Sequence, residues 1–496
     1  MPQTNQNKVG ILLTNSTSPF FDSLYAAGNR PSGSGPVLGS GPVLIVAKNG
    51  NDTTGTGSVG APFLTINKAM SVATTGATIQ IRANGGAPTT YSESTQSNPY
   101  VPESFWFQHR CTIGMLVSGT IGNRCTLMAY PGDEGLVTIA GGTTQVGINT
   151  NTQDYWNIYG LRFKDCWQSS IVNYTQAGNE IPNETTLSTG WVVENCLVDG
   201  VEGDIGDNIA GIAPWATRDW IIRNCFIKNV GGHGIQTYGT INMLVENIET
   251  DNVLFGVFLK DHFLSNLTPR TPYPGVEVRY SKLKTRASSI NIGIRGAGSP
   301  EAGDQYIHHN VMYGFDGTTD EAIQFRMLDS AGQSTRFRLV NNTVDVGVSA
   351  STHLAGNNFN DVEIEGNIFC GGGLPISTHY NDAAGSITRI TACDRNIYTS
   401  FQAILCRFDS NSTTYGSLAA WKAASAGSPS HLAISNPDPN SVEASASSLF
   451  TNRAGNVYTL APGSAAIGRM SDGSDAGAFQ YGTETIGLLP SYSAGI

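Results

Sequence analysis

Short segments in which apolar and polar residues alternate recur through the middle of the chain. Alternation with a period of two is typical of β-strands that bury one face. We expect the second and fourth residues of each segment to point inward and the third and fifth to point outward. Five such segments end on an aromatic or basic residue, which would form one outward column if the strands stack in register: Gly211–Trp215, Gly234–Tyr238, Gly256–Lys260, Asn291–Arg295 and Ala322–Arg326.

A second set of strand-like segments carries an asparagine at a bend. The spacing between successive asparagines is 23 to 32 residues, and Tyr280 takes the same place in one longer gap. Strand repeats of about 20 to 35 residues predict a solenoid. Asparagine tolerates the left-handed backbone region, and stacked asparagine side chains can bond one another from turn to turn. We therefore predict an all-β fold, a right-handed parallel β-helix of about ten to twelve turns, with parallel strands ~4.8 Å apart. The bend residues are Asn195, Asn224, Asn247, Asn310, Asn342 and Asn367.

Both ends of the repeat carry signals of closure. Val43–Val46 predicts a strand, and residues 61–70 predict a short capping helix that would cover the first turn. Residues 449–452, 460–467 and 475–479 predict a closing unit.

These end motifs resemble those of right-handed parallel β-helix proteins of the pectate-lyase-like superfamily. The resemblance rests on Asn49–Gly50 through Pro62–Phe63 at the start, and on Pro-Gly-Ser-Ala-Ala-Ile followed by Asp-Ala-Gly-Ala near the end. It covers about residues 42 to 480. It implies the fold and not one function, because this fold hosts lyases, hydrolases, epimerases and phage tailspikes.

The chain divides into five predicted parts. They are an N-terminal anchoring segment with a Gly/Ser/Pro linker (1–41), the first strands with the capping helix (42–100), the central β-helix (101–410), an excursion with the closing unit (411–480) and a tail (481–496). Within the excursion, Tyr415–Ala424 predicts a short helix. The segment 1–41 looks like the virion-anchoring peptide of a tailspike, and a disordered tail is the alternative.

Composition limits the kinds of partner that the chain is expected to bind. The net charge of −11 argues against nucleic acid, which favours a basic surface. No run of ~20 apolar residues predicts membrane insertion, and residues 1–8 lack the pattern of a signal peptide. Eight cysteines show no metal-ligand spacing, so we expect no metal or cofactor. Cys166, Cys196 and Cys225 are expected to be buried thiols in successive turns, with a stacked disulfide as the alternative.

The outward column predicts the binding of an acidic sugar chain. Trp215 and Tyr238 offer faces for sugar rings, and Lys260, Arg295 and Arg326 could neutralise acid groups, with His262 beside them as a further substrate contact. The alternative is a solvated sheet face. The resemblance to the alginate-lyase and chondroitinase-B-like branch of the fold implies Lys260 as base and Arg295 as acid. That branch carries calcium-binding glutamates shortly before the lysine, whereas this chain has Val253–Phe255 there.

Hydrolysis by two carboxylates is the other chemistry considered. Asp204 and Asp207 lie in the loop before the Trp215 strand, and His233 could donate a proton. Other carboxylates flank the later strands: Glu301, Asp304, Asp320 and Glu321.

Three functions remain. The leading prediction is a phage tailspike or virion receptor-binding protein, which would be a homotrimer in the virion tail. It would bind host cell-surface polysaccharide, attach to a tail or adaptor protein through residues 1–41, and either cleave the polysaccharide or only recognise it. The alternatives are a secreted bacterial polysaccharide lyase or glycoside hydrolase, and a non-enzymatic β-helix adhesin.

Overall fold

The structure is a computed structural model. It describes residues 35–102, 110–173, 187–203, 208–260, 275–294, 305–315, 321–327, 336–347, 352–357, 361–378, 390–399, 406–408, 413–427, 432–482 and 486–487.

Strands dominate these residues, and helices are short. The helices are α1 (Ile66–Val72), α2 (Leu418–Lys422) and α3 (Ala446–Leu449). The strands are β1 (Val43–Val46), β2 (Thr78–Ile81), β3 (Thr89–Tyr91), β4 (Cys111–Gly114), β5 (Cys125–Ala129), β6 (Val137–Ala140), β7 (Val146–Asn149), β8 (Trp156–Tyr159), β9 (Arg162–Trp167), β10 (Ser169–Val172), β11 (Ser188–Thr189), β12 (Val192–Glu194), β13 (Leu197–Glu202), β14 (Ala210–Ala213), β15 (Trp215–Arg223), β16 (Phe226–Gln236), β17 (Tyr238–Glu246), β18 (Glu249–Lys260), β19 (Val276–Arg279), β20 (Lys282–Ile294), β21 (Gln305–His308), β22 (Val311–Tyr313), β23 (Glu321–Met327), β24 (Arg336–Val340), β25 (Thr343–Asp345), β26 (Thr352–Asn357), β27 (Asp361–Glu365), β28 (Ile368–Cys370), β29 (Leu374–Thr378), β30 (Ile390–Asp394), β31 (Ile397–Tyr398), β32 (Cys406–Phe408), β33 (Thr413–Tyr415), β34 (Val442–Glu443), β35 (Phe450–Asn452) and β36 (Val457–Leu460).

Parallel pairing between successive turns defines a parallel β-helix, as predicted. One sheet runs β1-β2-β5-β8-β12-β15-β17-β19-β21-β24-β27-β30. Each turn of the helix has three strand segments, which we call legs, and a second sheet holds the other two. In the first sheet, every second residue points into the interior and is fully buried. One such column is Val193, Ile222, Val245, Val278, Ile307 and Leu339. The apolar alternation of the sequence therefore corresponds to stacked interior rows.

Stacked indoles fill the interior of the earlier turns. The ring centroids of Trp156 and Trp191 lie 6.3 Å apart, and those of Trp191 and Trp220 lie 5.2 Å apart. Each indole N–H donates to a backbone carbonyl, which satisfies the one polar atom that burial would otherwise leave unpaired.

The asparagines occupy two neighbouring columns and not one. Asn195, Asn224 and Asn247 have φ of 53°, 51° and 52°, and Tyr280 follows them with φ of 49°. The next residues of this left-handed column are His309, Asn341 and Gly366. The assignment of Asn310, Asn342 and Asn367 to the bend was therefore wrong by one residue, because each directly follows the left-handed residue and points inward.

The inward asparagines form a hydrogen-bonded ladder, which confirms the expected bonding between turns for Asn310, Asn342 and Asn367 at the position after the bend. The Asn310 amide donates to Oδ1 of Asn342 at 3.1 Å, Asn342 to Asn367 at 3.1 Å, and Asn367 to Asn396 at 3.2 Å. Asn396 donates to Asp438 at 2.8 Å, and Asp438 also accepts from Trp421 Nε1 at 2.7 Å. The ladder thus links the later turns to the excursion that carries α2.

Helix α1 caps the first turns, as predicted, although it begins at Ile66 and not near residue 61. Thr65 accepts a hydrogen bond from the Lys68 N–H, and the Glu93 carboxylate accepts from the N–H groups of Ile66 and Asn67. Phe63 precedes the helix and lies beside β1. Burial raises the pKa of Glu93 to about 7.

The closing unit packs on the later turns. Its antiparallel pair, β35 and β36, lies in a buried apolar cluster with α3. Arg453 donates to both carboxylate oxygens of Asp345, at 2.7 and 2.6 Å, and the Tyr458 hydroxyl donates to the same carboxylate at 3.0 Å. These contacts join residues more than 100 positions apart in the chain.

The seven cysteines whose side chains are described are buried and free of disulfide bonds. No helix within the described ranges is long and apolar enough to cross a membrane.

Candidate functional site

Over several successive turns, aromatic and polar side chains gather on the outer side of one leg and at the start of the next strand. The leg is formed there by β14, the last residues of β16, β18 and β20, and β23, and the surface extends onto Trp215 and Tyr238, the first residues of β15 and β17. Ile212, Ile235 and Val257 point inward and are fully buried, as the alternation predicted. We call the outward surface the leg-3 face, defined by Asn208, Trp215, His233, Gln236, Tyr238, Phe255, Phe258 and Lys260.

The predicted column is correct for its first three residues. Trp215 pairs with Tyr238. On the next turn, Gln236 pairs with Phe258. Tyr238 and Lys260 each follow these residues by two positions, so they share one register position. All three side chains are partly exposed.

The predicted place of Arg295 in the column is wrong. Lys260 pairs with Gly293, and Gly293 pairs with Arg326, so the register position of Lys260 passes from Gly293 to Arg326. The apolar alternation of the sequence continues through this segment, so a slip of two residues leaves the pattern unchanged and alternation cannot detect it.

Seven predicted site residues lie outside the described residues: Asp204, Asp207, His262, Arg295, Glu301, Asp304 and Asp320. Arg326 is described only as part of strand β23. Glu321 lies on the same strand and accepts a hydrogen bond from Gln324 at 2.7 Å.

Lys260 is held against Tyr238 and an asparagine. Its Nζ lies 5.3 Å from the centroid of the Tyr238 ring and donates to Asn208 Oδ1 at 2.9 Å. The Tyr238 ring in turn meets Trp215 edge to face, with centroids 6.4 Å apart. An aromatic face and an ammonium therefore lie side by side, an arrangement that suits a sugar ring next to an acid group.

A second aromatic group adjoins this pair and was missed from the sequence. His233 stacks on Phe255 and on Phe258, with both ring centroids at 4.9 Å and interplanar angles of 19° and 24°. Gln236 connects the two groups, because its Nε2 donates to Asn208 Oδ1 at 3.1 Å. Gln236 and Phe258 are the third residues of their segments, so the alternation already placed them outward.

His233 is uncharged at neutral pH. Burial lowers its pKa to about 4, and the positive charge of Lys260 acts in the same direction. The imidazolium that the proton-donor hypothesis requires is therefore disfavoured at this position.

A separate network of ion pairs lies on the outer side of the first sheet. Arg279 contacts Glu246 at 2.9 Å and Glu277 at 2.7 Å, and Glu277 Oε1 also lies 2.9 Å from His308 Nε2. Burial raises the pKa of Glu246 and of Glu277 to about 7. Because one arginine bridges carboxylates of successive turns, we assign this network a role in holding turns together. The sequence carried no signal for it, since each turn contributes isolated charges.

No group of three or more His, Cys, Asp or Glu side chains suited to a metal ion occurs among the described residues.

No family model matches the chain, and no curated protein matches it. Among solved structures, pectate lyase Pel9A is 14% identical over 90% of this chain and 97% of its own, with a TM-score of 0.42. A rhamnogalacturonan lyase is 14% identical over 92% of this chain and 98% of its own, with a TM-score of 0.42. An alginate lyase from Paenibacillus is 17% identical over 62% of this chain and 95% of its own, with a TM-score of 0.40. At these values the fold rests on the parallel register itself, and the activities of these proteins carry no weight.

Proposed function

We propose that the leg-3 face binds a polysaccharide. The observation that carries the proposal is the outward group of Trp215, Tyr238 and Lys260 on three successive turns. Aromatic side chains present apolar faces with a polar edge, which match the faces and hydroxyls of sugar rings. The Lys260 ammonium adds a charge-assisted contact for a carboxylate or another acidic substituent.

The geometry favours a polymer over a single sugar. Successive turns are ~4.8 Å apart, so the three rungs from Trp215 to Lys260 span about 10 Å. The same register continues through Gly293 to Arg326 on the next two turns. A long rigid row of this kind suits a chain that lies along the helix axis.

We further propose a phage tailspike or similar virion receptor-binding protein as the biological setting, with the polysaccharide on the surface of the host cell. Free buried thiols at all seven described cysteines support folding in a reducing cytoplasm and oppose a disulfide-bonded secreted enzyme. In this proposal residues 1–41 attach the chain to a tail or adaptor protein, and the functional unit is a homotrimer.

An array of purified bacterial capsular and O-antigen polysaccharides, with alginate and polygalacturonate included, tests the binding proposal. Tyr238→Ala and Lys260→Ala should each weaken binding about five- to thirty-fold, the equivalent of ~1–2 kcal/mol for a desolvated aromatic or cationic contact. The matched control is Lys228→Ala, since Lys228 lies on the neighbouring leg and faces Asp199 at 3.4 Å. Equal binding by wild type and both site variants contradicts the proposal.

Product analysis on the polysaccharides that bind distinguishes the enzymatic alternatives. Unsaturated oligosaccharides with ultraviolet absorbance identify a lyase, and new reducing ends without that absorbance identify a hydrolase. Binding without release identifies a receptor-binding protein or adhesin that does not cleave. Mass spectrometry of purified particles then tests the virion setting, which is wrong if the chain is secreted by a bacterium and absent from particles.

A further inference from the structure

The His233 ring stacks on two phenylalanines of the next turn and contacts a backbone oxygen through one nitrogen. Phe255 and Phe258 stack on it at 4.9 Å each, and Nδ1 lies 3.2 Å from the backbone oxygen of Ile209. The ring is partly exposed. Its Nε2 makes no hydrogen bond with any group in the part of the chain that the structure describes. The imidazole is thus held in one orientation, and its Nε2 is available to a ligand.

The contact with Ile209 determines which nitrogen carries the proton. A carbonyl oxygen only accepts, so Nδ1 must be the N–H donor. In a neutral imidazole the other nitrogen, Nε2, then holds a lone pair and can only accept. The charged side chain that acts on His233 is Lys260, and it opposes protonation of the ring.

We propose that His233 Nε2 is a specificity-determining acceptor of the leg-3 face, which receives a hydrogen bond from an unmodified sugar hydroxyl. This inference rests on the proposed polysaccharide function and adds the chemical requirement at one position of the ligand. The two neighbouring groups select different substituents of the ligand. The Lys260 ammonium attracts an acid group, whereas a lone pair on Nε2 repels carboxylate and sulfate oxygens. Among sugar substituents, a hydroxyl and an acetamido N–H can donate to such an acceptor, and we assign the hydroxyl because every sugar ring carries one.

Gln236 lies beside His233 but is not offered to a ligand. Its Nε2 donates to Asn208 Oδ1, and its Oε1 is buried away from solvent. The acceptor on His233 and the ammonium of Lys260 therefore favour a ligand that carries both a hydroxyl and an acid group.

The tautomer is tested first, on the whole chain without ligand. Nitrogen-15 NMR of histidine-labelled protein at pH 7, with His233 assigned by comparison with His233→Gln, should show a protonated Nδ1 and an unprotonated Nε2. An Nε2–H tautomer or a charged ring would overturn the inference, because Nε2 could then not accept.

Binding of the array polysaccharide with the strongest signal tests the role. His233→Phe keeps an aromatic ring against the two phenylalanines and removes the acceptor, so affinity should fall about five- to tenfold, the equivalent of ~1–1.4 kcal/mol for one neutral hydrogen bond. His233→Gln places an amide oxygen near the position of Nε2 and should stay within about threefold of wild type. Thermal midpoints equal to wild type confirm that both variants are folded, and circular dichroism replaces this criterion if a midpoint shifts.

The outcomes separate the two proposals. If Tyr238→Ala weakens binding as predicted while His233→Phe binds like wild type, the acceptor inference is wrong and the glycan-binding face stands. If His233→Gln loses as much affinity as His233→Phe, the ring has only a structural role and the inference is again wrong. If no polysaccharide on the array binds, the proposed function itself fails.

Discussion

Removing one member of the interior asparagine ladder should destabilise the later turns strongly. Asn342 is fully buried, and its Oδ1 accepts from the backbone N–H of Asn310 at 3.1 Å as well as from the Asn310 side chain. Its Nδ2 donates to Ile307 O at 2.9 Å and to Asn367 Oδ1 at 3.1 Å. Asn342→Ala therefore leaves at least one buried N–H and one buried carbonyl without these partners. At ~1–3 kcal/mol for each buried group left unsatisfied, we expect a loss of about 4 kcal/mol.

Guanidinium unfolding followed by tryptophan fluorescence measures this loss. Trp421 is a suitable reporter because it donates to Asp438 at the end of the ladder. The matched control is Asn252→Gly: Asn252 is exposed, bonds Asn229 at 2.8 Å and has φ of 52°, which glycine adopts without strain. The control should change the free energy of unfolding by less than about 0.5 kcal/mol, as is usual at the surface. A change below about 1 kcal/mol for Asn342→Ala would refute the reasoning, since the ladder would then be replaceable by water.

Three further predictions concern the closing unit, the ion-pair network and the thiols. Arg453→Ala leaves the buried Asp345 carboxylate without its cation, which should lower the free energy of unfolding by ~3–5 kcal/mol. Proteolysis within residues 449–460 should therefore be faster, as measured by mass spectrometry of the fragments. An unchanged rate of cleavage contradicts this prediction. The pKa of Glu277 is raised from 4.5 to about 7, so its contribution to stability is present below about pH 4.5 and is lost as the pH rises through 7. Glu277→Gln should flatten the decline of the unfolding midpoint between pH 5 and 8, and an equal slope in both proteins argues against the assignment. Burial raises the pKa of Cys111 to about 12, and that of Cys166 to about 11, so both should resist iodoacetamide at pH 8 until the chain is unfolded, and rapid native labelling would be inconsistent with the structure.

The fold was readable from the sequence because a solenoid repeats one local rule. Each turn places the same apolar alternation on the same leg, and residues such as Val193 and Ile222 stack without long-range information. Helix α1 and the short helix α2 were likewise indicated by local patterns. The ladder was anticipated in kind, but its position was off by one residue. Asparagine occupies the left-handed bend in the earlier turns, whereas in the later turns His309, Asn341 and Gly366 occupy the bend and the asparagine follows it.

The site was readable only in part, and for the same reason. Alternation determines which residues point outward, so Trp215, Tyr238 and Lys260 could be found. It does not determine register to better than two residues, which is why Arg295 was placed beside Lys260 where Gly293 lies. The contacts among His233, Phe255 and Phe258 depend on side-chain geometry across two turns, and no local pattern encodes them.

The most direct test of the central claim is a structure of the protein with an oligosaccharide from a polysaccharide that binds on the array. The account predicts a sugar ring packed on the Tyr238 face, an acidic substituent within hydrogen-bond distance of Lys260 Nζ, and a hydroxyl directed at His233 Nε2. A sugar bound over the ion pairs of Arg279, Glu246 and Glu277, with the leg-3 face empty, would contradict it.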